Sequence, residues 1–187
     1  MKTILADKRS YSSKIRNRKD ALFIAIHGTS NKGDTAENNG NYFKDGAYTW
    51  KTKEDGTKVK VPLNVGAHFF VDQKGNVVKS IYLNRSAWAV GGDKWNDCNV
   101  TGGGKLYNVA TNYNSVSIEL CDIVDKEPSD QMISAIWRTI KYIRKHCPNA
   151  QTIIRHFDVN GKHCPSSMMS EDAWNKFQLR LLAEALK

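Results

Sequence analysis

An uncharged apolar run that closes on a histidine restricts the fold more than any other segment of the chain. Residues 21–27 read Ala-Leu-Phe-Ile-Ala-Ile-His, so apolar side chains occupy both alternating sets. Alternate side chains of a strand point to opposite faces, and a strand that is apolar on both faces lies inside a sheet. The pattern predicts a central strand with His27 at its end, where the sites of α/β sheets collect. A hydrogen-bonded core histidine is the alternative interpretation.

A second strand-like run leads into two more residues of the metal-binding type. Residues 152–157 are rich in β-branched side chains, and Asn160-Gly161 then favours a turn. We therefore expect His156 at the end of the strand with Cys164 folded back beside it. Histidine nitrogen and cysteine thiolate suit Zn²⁺, and three such donors leave the fourth tetrahedral position for water. With His27 as the third donor, the sequence predicts one catalytic Zn²⁺.

Residues 115–121 alternate cleanly and predict a second central strand with Glu119 in its middle. Either Glu119 is paired there, or burial raises its pKa and makes it a usable base. Lys162 precedes Cys164 by two residues, and its cation could stabilise negative charge on a carbonyl oxygen. Glu119 and Lys162 beside a metal predict hydrolysis of an amide, with both residues catalytic.

Helical periodicity marks the supporting elements. Residues 129–146 and 170–187 carry apolar side chains at helical spacing, and Ser170 is the natural N-cap of the second helix. Residues 34–42 predict a short helix capped by Asp34 or Thr35. The Gly- and Asn-rich residues 93–112 are expected to be irregular.

Two hairpins are expected between the central strands. Residues 66–82 predict a β-hairpin, and residues 44–60 predict a loop or hairpin that walls one side of a cleft. His68 begins the first strand of the former, and Trp88 follows it in a loop. Both are predicted to line the substrate cleft, although packing roles explain His68 and Trp88 equally well.

Length and charge limit the organisation of the chain. A chain of 187 residues with 40% apolar content favours a single domain over residues 1–187. The net charge is +9, and residues 1–19 carry seven basic side chains against Asp7 alone. We expect a basic N-terminal extension over residues 1–20 ahead of a core over residues 21–187. Such an extension suits an anionic polymer, and a solvated basic arm is the simpler interpretation.

Targeting and cysteine patterns point to one compartment. No apolar run follows the basic N-terminus, and no segment approaches the ~20 apolar residues of a membrane span. We therefore expect synthesis in the cytoplasm without a signal peptide, and no stable membrane insertion. The four cysteines are irregularly spaced and include no CxxC pair, which argues against a disulfide framework or a structural zinc knuckle.

Taken together, five segments resemble the zinc-dependent N-acetylmuramoyl-L-alanine amidases of type 2, which are similar to peptidoglycan recognition proteins. These segments surround His27, residues 66–69, residues 86–88, residues 114–119 and residues 156–165. They follow the order and approximate spacing of the family over roughly residues 20–170. His27, Lys162 and the eight-residue step from His156 to Cys164 all coincide with the family pattern.

The resemblance implies an α/β fold, with a single domain whose central mixed β-sheet is flanked by α-helices. It implies cleavage of the amide between N-acetylmuramic acid and L-alanine in bacterial peptidoglycan, leading to lysis of the cell wall. Similar domains occur in phage endolysins and bacterial autolysins. Without a signal peptide, a phage or prophage endolysin is the expected source. Peptidoglycan is the expected partner, together with anionic wall polymers at the basic N-terminus.

Two positions depart from parts of the family. Ala67 stands where some short phage amidases carry a catalytic tyrosine, so we assign the base to Glu119, which matches a glutamate of the muropeptide-recycling branch. Cys164 follows the phage-type amidases, whereas the recycling branch carries aspartate. The chain therefore combines features of both branches.

Three other functions remain open from the sequence. A non-catalytic peptidoglycan-binding recognition module would share the fold, but such relatives typically lose the metal cysteine. A nucleophilic hydrolase would pair Cys164 with His156 or His163. Charge alone suggests nucleic-acid binding, and no recognisable motif supports it, so nucleic acid is not an expected partner.

Overall fold

The strand that carries His27 is hydrogen-bonded on both sides within a six-stranded sheet. The computed structural model describes residues 1–187. Its strands are β1 (Lys2–Thr3), β2 (Phe23–Gly28), β3 (Tyr48–Thr52), β4 (Lys58–Pro62), β5 (Phe69–Val71), β6 (Val77–Lys79), β7 (Ser115–Leu120) and β8 (Thr152–Arg155). The sheet order is β1-β6-β5-β7-β2-β8, and only β5 pairs antiparallel with β6. The predicted mixed sheet and both predicted inner strands are confirmed.

Five α-helices complete the fold. They are α1 (Ala36–Lys44), α2 (Cys98–Thr101), α3 (Asp130–His146), α4 (His156–Asn160) and α5 (Glu171–Ala185). Thr35, Ser129 and Ser170 cap α1, α3 and α5, because each side-chain oxygen accepts a backbone N–H of the first turn. No helix combines the length and the hydrophobicity that a membrane crossing requires.

Helices α3 and α5 cover one face of the sheet and form the main core with it. Ile24 and Ile26 of β2 and Ile118 of β7 pack there against fully buried residues of α3 such as Ile136. Each fully buried isoleucine of this kind contributes about 1.5–3 kcal/mol through burial. Because Ile24 and Ile26 point toward α3, the alternation of β2 turns Ala25 and His27 to the opposite face.

The opposite face is covered in two parts. Helix α1 packs over the β5–β6 side, where Phe70, Val78 and Ala36 form a smaller core cluster. The long segment between β6 and β7 covers Ala25 and Ile154. The carboxyl ends of β2, β7 and β8 meet between α1 and the segment that connects β6 to β7.

The N-terminal segment is attached to the sheet, although most of its basic side chains are exposed to solvent. β1 pairs parallel with β6, and Ile4 is buried. Arg16 is only 2% exposed, and its guanidinium donates to the carbonyl oxygens of Leu83, Tyr113 and Ser115. These carbonyl oxygens come from the segment after β6 and from the start of β7, so no local sequence pattern could indicate the burial of Arg16.

The expectation of a loop or hairpin over residues 44–60 is confirmed, since β3 and β4 form an antiparallel hairpin there. Other boundaries differ from the expectations. The strand expected over residues 152–157 ends at Arg155, and α4 begins at His156. The region 93–112 contains the one-turn helix α2. Helices of one turn bury too few residues to show a helical period.

Candidate metal centre

The register of two neighbouring strands sets His27 beside Glu119. β2 and β7 run parallel with His27 opposite Glu119, and the Nδ1 and Oε1 atoms are 3.9 Å apart. On its other side β2 pairs with β8, where Ile26 lies opposite Arg155. His156 follows Arg155 directly, so both histidines lie at the same edge of the sheet.

A tight return of the chain brings Cys164 to this edge. Gly161 ends α4 in the left-handed conformation with φ 87°, which favours glycine. The chain then turns back, and the N–H of Phe157 in the first turn of α4 donates to the carbonyl oxygen of Cys164 at 2.9 Å. The N–H of Gly28, next to His27, donates to the sulfur of Cys164 at 3.4 Å. These two bonds position the thiol between the histidines.

His27, His156 and Cys164 converge as a potential ligand set. One ligand atom from each lies within 4.8 Å of the others, and all three residues are buried. The sulfur of Cys164 is 3.9 Å from Nδ1 of His27, and the two imidazole centroids are 4.7 Å apart. Two imidazoles and a sulfur at this spacing suit tetrahedral Zn²⁺.

Unpaired polar atoms at this point support a cation. Nε2 of His27, both ring nitrogens of His156 and Oε2 of Glu119 are buried without a hydrogen-bond partner. Buried polar groups are normally paired, and each unpaired one costs about 1–3 kcal/mol. A divalent cation would bind one nitrogen of each imidazole, so the residues present fit the predicted metal.

The pKa values of the three side chains also fit a metal site. Burial lowers the pKa of His27 well below its usual value, with further lowering by His156 and Lys162. Burial lowers the pKa of His156 to about 3, so both imidazoles are neutral and able to coordinate. Burial raises the pKa of the Cys164 thiol to about 12. A bound cation would reverse that shift, because its charge favours the thiolate.

Glu119 and Lys162 flank the ligand set. Burial raises the pKa of Glu119 to about 7, although the positive charge of Lys162 opposes the shift. Lys162 is itself exposed. A carboxyl group poised near neutral pH can both accept and return a proton. Glu119 lies 3.9 Å from His27, and the charge of Lys162 affects the pKa of both histidines; the catalytic roles of the two residues stay predictions.

Glu119, Lys162 and Cys164 open into one cleft. Its volume is about 690 Å³, and one wall comes from α1 and the following segment. The cleft is lined by Gly28, Thr29, Ser30, Asn31, Asp34, Asn38, Asn39, Tyr42, Phe43, Val65, Phe70, Glu119, Lys162, His163 and Cys164. A cleft of this size accommodates a peptide or sugar unit next to the metal ligands.

A buried arginine fixes the segment that carries two of the three donors. Arg155 is 3% exposed and forms an ion pair with Asp158 at 2.7 Å. It also donates to the carbonyl oxygens of Met168 and Met169, beyond Cys164. The guanidinium therefore joins both ends of the segment that contains His156 and Cys164.

The two residues predicted to contact substrate lie elsewhere. His68 is 1% exposed, and its ring contacts Ser117, Arg85 and Arg16, so the structure does not bring it to the cleft. Trp88 is half-exposed, and its carbonyl oxygen accepts the N–H of Gly66. Trp88 is absent from the cleft lining, and its contact with substrate stays a prediction.

The sequence reasoning did not place Asp34 in the cleft. Asp34 accepts the side-chain amide of Asn39 at 2.6 Å and contributes to the raised pKa of Glu119. Asp34 was considered only as a helix cap, and Thr35 takes that role. An acidic residue at a helix N-terminus is favourable for the helix itself, so no sequence signal marked Asp34 as part of the cleft.

Comparison with models of known protein families identifies the family of the chain. The family model for N-acetylmuramoyl-L-alanine amidases (Amidase_2) matches residues 17–167. The chain belongs to this family. The predicted resemblance is thereby confirmed, and members of the family are typically zinc-dependent.

Two curated relatives are amidases of Bacillus subtilis strain 168. The chain is 27% identical over 187 residues to N-acetylmuramoyl-L-alanine amidase CwlA, covering 98% of this chain and 57% of that protein. It is 23% identical over 186 residues to N-acetylmuramoyl-L-alanine amidase XlyB, covering 98% of this chain and 49% of that protein. The chain thus spans about half the length of these relatives.

Solved structures share the fold. PlyL superposes with a TM-score of 0.66 at 20% identity, covering 97% of this chain and 96% of that chain. A mutant endolysin from Bacillus subtilis gives a TM-score of 0.63 at 20% identity, covering 96% of this chain and 97% of that chain. The predicted type-2 amidase fold is confirmed by these similarities.

Proposed function

We propose that this chain hydrolyses the amide bond between N-acetylmuramic acid and L-alanine in bacterial peptidoglycan, with the cell wall as its place of action. The observation that carries the proposal is the convergence of His27, His156 and Cys164, with unpaired imidazole nitrogens, beside the carboxyl group of Glu119. Membership of the amidase family supports the same chemistry.

His27, His156 and Cys164 would hold the metal, and zinc is the ion that their chemistry favours. When bound there, a divalent cation supplies Lewis acidity that activates water and polarises a carbonyl group. Gly28 supports the ligand set by donating its N–H to the sulfur of Cys164, which favours the thiolate.

Glu119 acts as the proton carrier of the reaction. It accepts a proton from water as the new C–O bond forms at the amide carbon. It then gives the proton to the amide nitrogen as the C–N bond breaks, and the second proton of the water passes from the new carboxyl group to the amine, so that the products are the lactyl carboxylate and the ammonium group of L-alanine. Its place opposite His27 in the sheet register holds the carboxyl group next to the ligand set.

Lys162 stabilises the negative charge that grows on the carbonyl oxygen during attack. Its side chain lines the cleft two residues from Cys164, and its charge already affects the pKa of Glu119. A fixed cation at a developing oxyanion lowers the barrier because its interaction is stronger in the transition state than in the substrate.

A nucleophilic cysteine mechanism has less support. Burial raises the pKa of Cys164 to about 12, which makes its thiol a poor nucleophile without a metal. His163 is engaged elsewhere, because its Nε2 lies 2.7 Å from Oδ2 of Asp97 and its ring packs on Trp95.

The test is digestion of purified peptidoglycan with the zinc-loaded protein, followed by mass analysis of the new chain ends. We expect new L-alanine amino termini, and no new reducing sugar ends. Chelation should abolish the release, and added Zn²⁺ should restore it. The Cys164→Ser variant should lose both zinc and activity.

Two results would contradict the proposal. Hydrolysis that resists chelation but stops on thiol alkylation would favour the cysteine mechanism. Binding to peptidoglycan without any release of amine by the zinc-loaded protein would instead favour a non-catalytic recognition module.

A further inference from the structure

The β3–β4 hairpin carries an exposed aromatic and cationic face. Trp50 lies opposite Lys60 in the hairpin register, and Trp50 is 55% exposed. The Lys60 ammonium lies 4.2 Å from the centroid of the Tyr48 ring and 5.5 Å from that of Trp50. A two-stranded hairpin has no core of its own in which to bury these rings. They therefore present a contact surface to the outside.

This face is continuous with the metal cleft through Tyr42. Tyr42 lines the cleft, and its hydroxyl donates to the carbonyl oxygen of Tyr48 at 2.6 Å and accepts the Tyr48 N–H at 2.9 Å. The Tyr42 and Tyr48 rings are 5.6 Å apart, and the Tyr48 and Trp50 rings are 5.9 Å apart. We refer to Tyr42, Tyr48, Trp50 and Lys60 as the hairpin strip. It leads from the cleft outward along the hairpin.

We propose that the hairpin strip binds the glycan strand of peptidoglycan next to the sugar whose amide is cut. The inference rests on the proposed function, since it extends the substrate from the cleft along the polymer. Sugar rings offer C–H faces to aromatic side chains, and their hydroxyl and acetamido groups accept and donate hydrogen bonds at the polar tips of tyrosine, tryptophan and lysine. Exposed aromatic surface that adjoins a cleft is typical of a binding site.

The aromatic content of the strip favours a glycan over an anionic wall polymer. The strip consists of three aromatic rings and one ammonium group, and that ammonium group is directed at two of the rings. Ring faces pack on the C–H groups of sugars and offer no donor to a phosphate. The hairpin also carries Lys51, Lys53 and Lys58 against Glu54 and Asp55, so the salt dependence of binding must distinguish the two occupants.

The experiment compares hydrolysis of two substrates by the zinc-loaded protein. One substrate is polymeric peptidoglycan stripped of phosphate polymers, and the other is a soluble single-sugar muramoyl peptide. Trp50→Ala should raise KM for the polymer about three- to tenfold, as loss of one aromatic contact predicts. It should leave kcat for the polymer and both constants for the soluble substrate near those of the unmodified protein. Tyr42→Phe should also raise KM for the polymer, because it frees the base of the hairpin.

Tyr82→Ala is the matched control. Tyr82 is an exposed aromatic residue with an ammonium group, that of Lys79, 5.4 Å from its ring, and it does not line the cleft. This variant should leave KM for the polymer unchanged. An equal rise in KM with Tyr82→Ala and Trp50→Ala would overturn the proposal, as would an unchanged KM in Trp50→Ala.

Sedimentation with insoluble wall separates this inference from the proposed function. Wild-type protein should bind stripped peptidoglycan, and Trp50→Ala should bind it more weakly. If neither substrate is hydrolysed but this difference in binding remains, the proposed hydrolysis is refuted and glycan binding by the hairpin strip is supported. If binding requires the phosphate polymers and disappears at high salt, the site is one for polyanions and the proposal fails.

Discussion

Nε2 of His68 lies 3.2 Å from a guanidinium nitrogen of the buried Arg16. The N–H of Ser117 donates to Nδ1 of His68, so the proton of the neutral ring is on Nε2 and is donated to the carbonyl oxygen of Arg85. A second proton, on Nδ1, would face the Ser117 N–H and would give the ring a positive charge next to the Arg16 cation. This buried environment therefore favours the neutral form of His68.

The unfolding free energy should decrease in mild acid because His68 resists protonation in the folded protein. Burial and the Arg16 charge lower the pKa of His68 to about 3, whereas the unfolded chain binds the proton near the usual 6.5. The contribution of His68 is complete above pH 6.5 and is lost as the pH falls toward 3. The unfolding free energy should fall by up to about 1.4 kcal/mol per pH unit from this group. Urea unfolding at several pH values between 4.5 and 7 gives the unfolding free energy as a function of pH. This free energy should depend less steeply on pH in His68→Gln than in the unmodified protein. Equal pH dependence in the two proteins would refute the assignment.

Replacing Glu119 should separate chemistry from metal binding. Glu119→Gln keeps the size of the side chain but cannot carry the proton, so we expect kcat to fall by about 10²–10⁴-fold. Zinc content, measured by atomic emission, should stay the same. Glu127→Gln is the control, because Glu127 is an exposed glutamate paired with Lys176. Near-normal turnover in Glu119→Gln would remove Glu119 from the role of base.

Replacing Lys162 should lower the rate of hydrolysis and leave the zinc content unchanged. Lys162→Ala should lower kcat by about 10²-fold, the usual cost of one lost oxyanion donor. Zinc content and melting temperature should be close to those of the unmodified protein, since Lys162 is exposed. Lys176→Ala on α5 is a matched control that should retain full activity. A rise in KM with unchanged kcat would assign Lys162 to substrate binding instead.

Arg155 should hold the ligand segment in place. Arg155→Ala leaves the carbonyls of Met168 and Met169 and the carboxylate of Asp158 without their partner, so we expect a loss of about 3 kcal/mol in unfolding free energy. Weaker zinc binding should accompany it, measured by competition with a chelator. Glu171→Gln removes only the 63% exposed partner of the same guanidinium and should cost less than about 1 kcal/mol. Equal losses in the two variants would contradict this view.

Local periodicity predicted most of the scaffold. The alternation around His27 and Glu119 and the apolar spacing of residues 129–146 and 170–187 marked the elements that form the core. These segments are long enough for their period to be distinct. Helices α2 and α4 were missed because one turn shows no period, and the burial of Arg16 depends on carbonyls nearly a hundred residues away.

The site was partly predictable for the same reason. His27 lies at the carboxyl end of β2 and His156 directly follows β8, so their approach follows from parallel pairing of the two strands. His68 precedes β5 at the amino end of that strand, and the register of β5 against β7 directs it to Ser117 inside the domain. Strand register is a property of the assembled sheet, so the sequence could not place His68.

The proposed metal ligands differ in how well the fold tolerates their substitution. His27 is on a strand paired on both sides, where a shift by one residue would turn the imidazole into the α3–α5 core. Cys164 follows a turn, and two backbone hydrogen bonds hold it. If these residues bind the proposed metal, exchanging sulfur for oxygen at position 164 should change the metal preference while the strand that carries His27 stays intact.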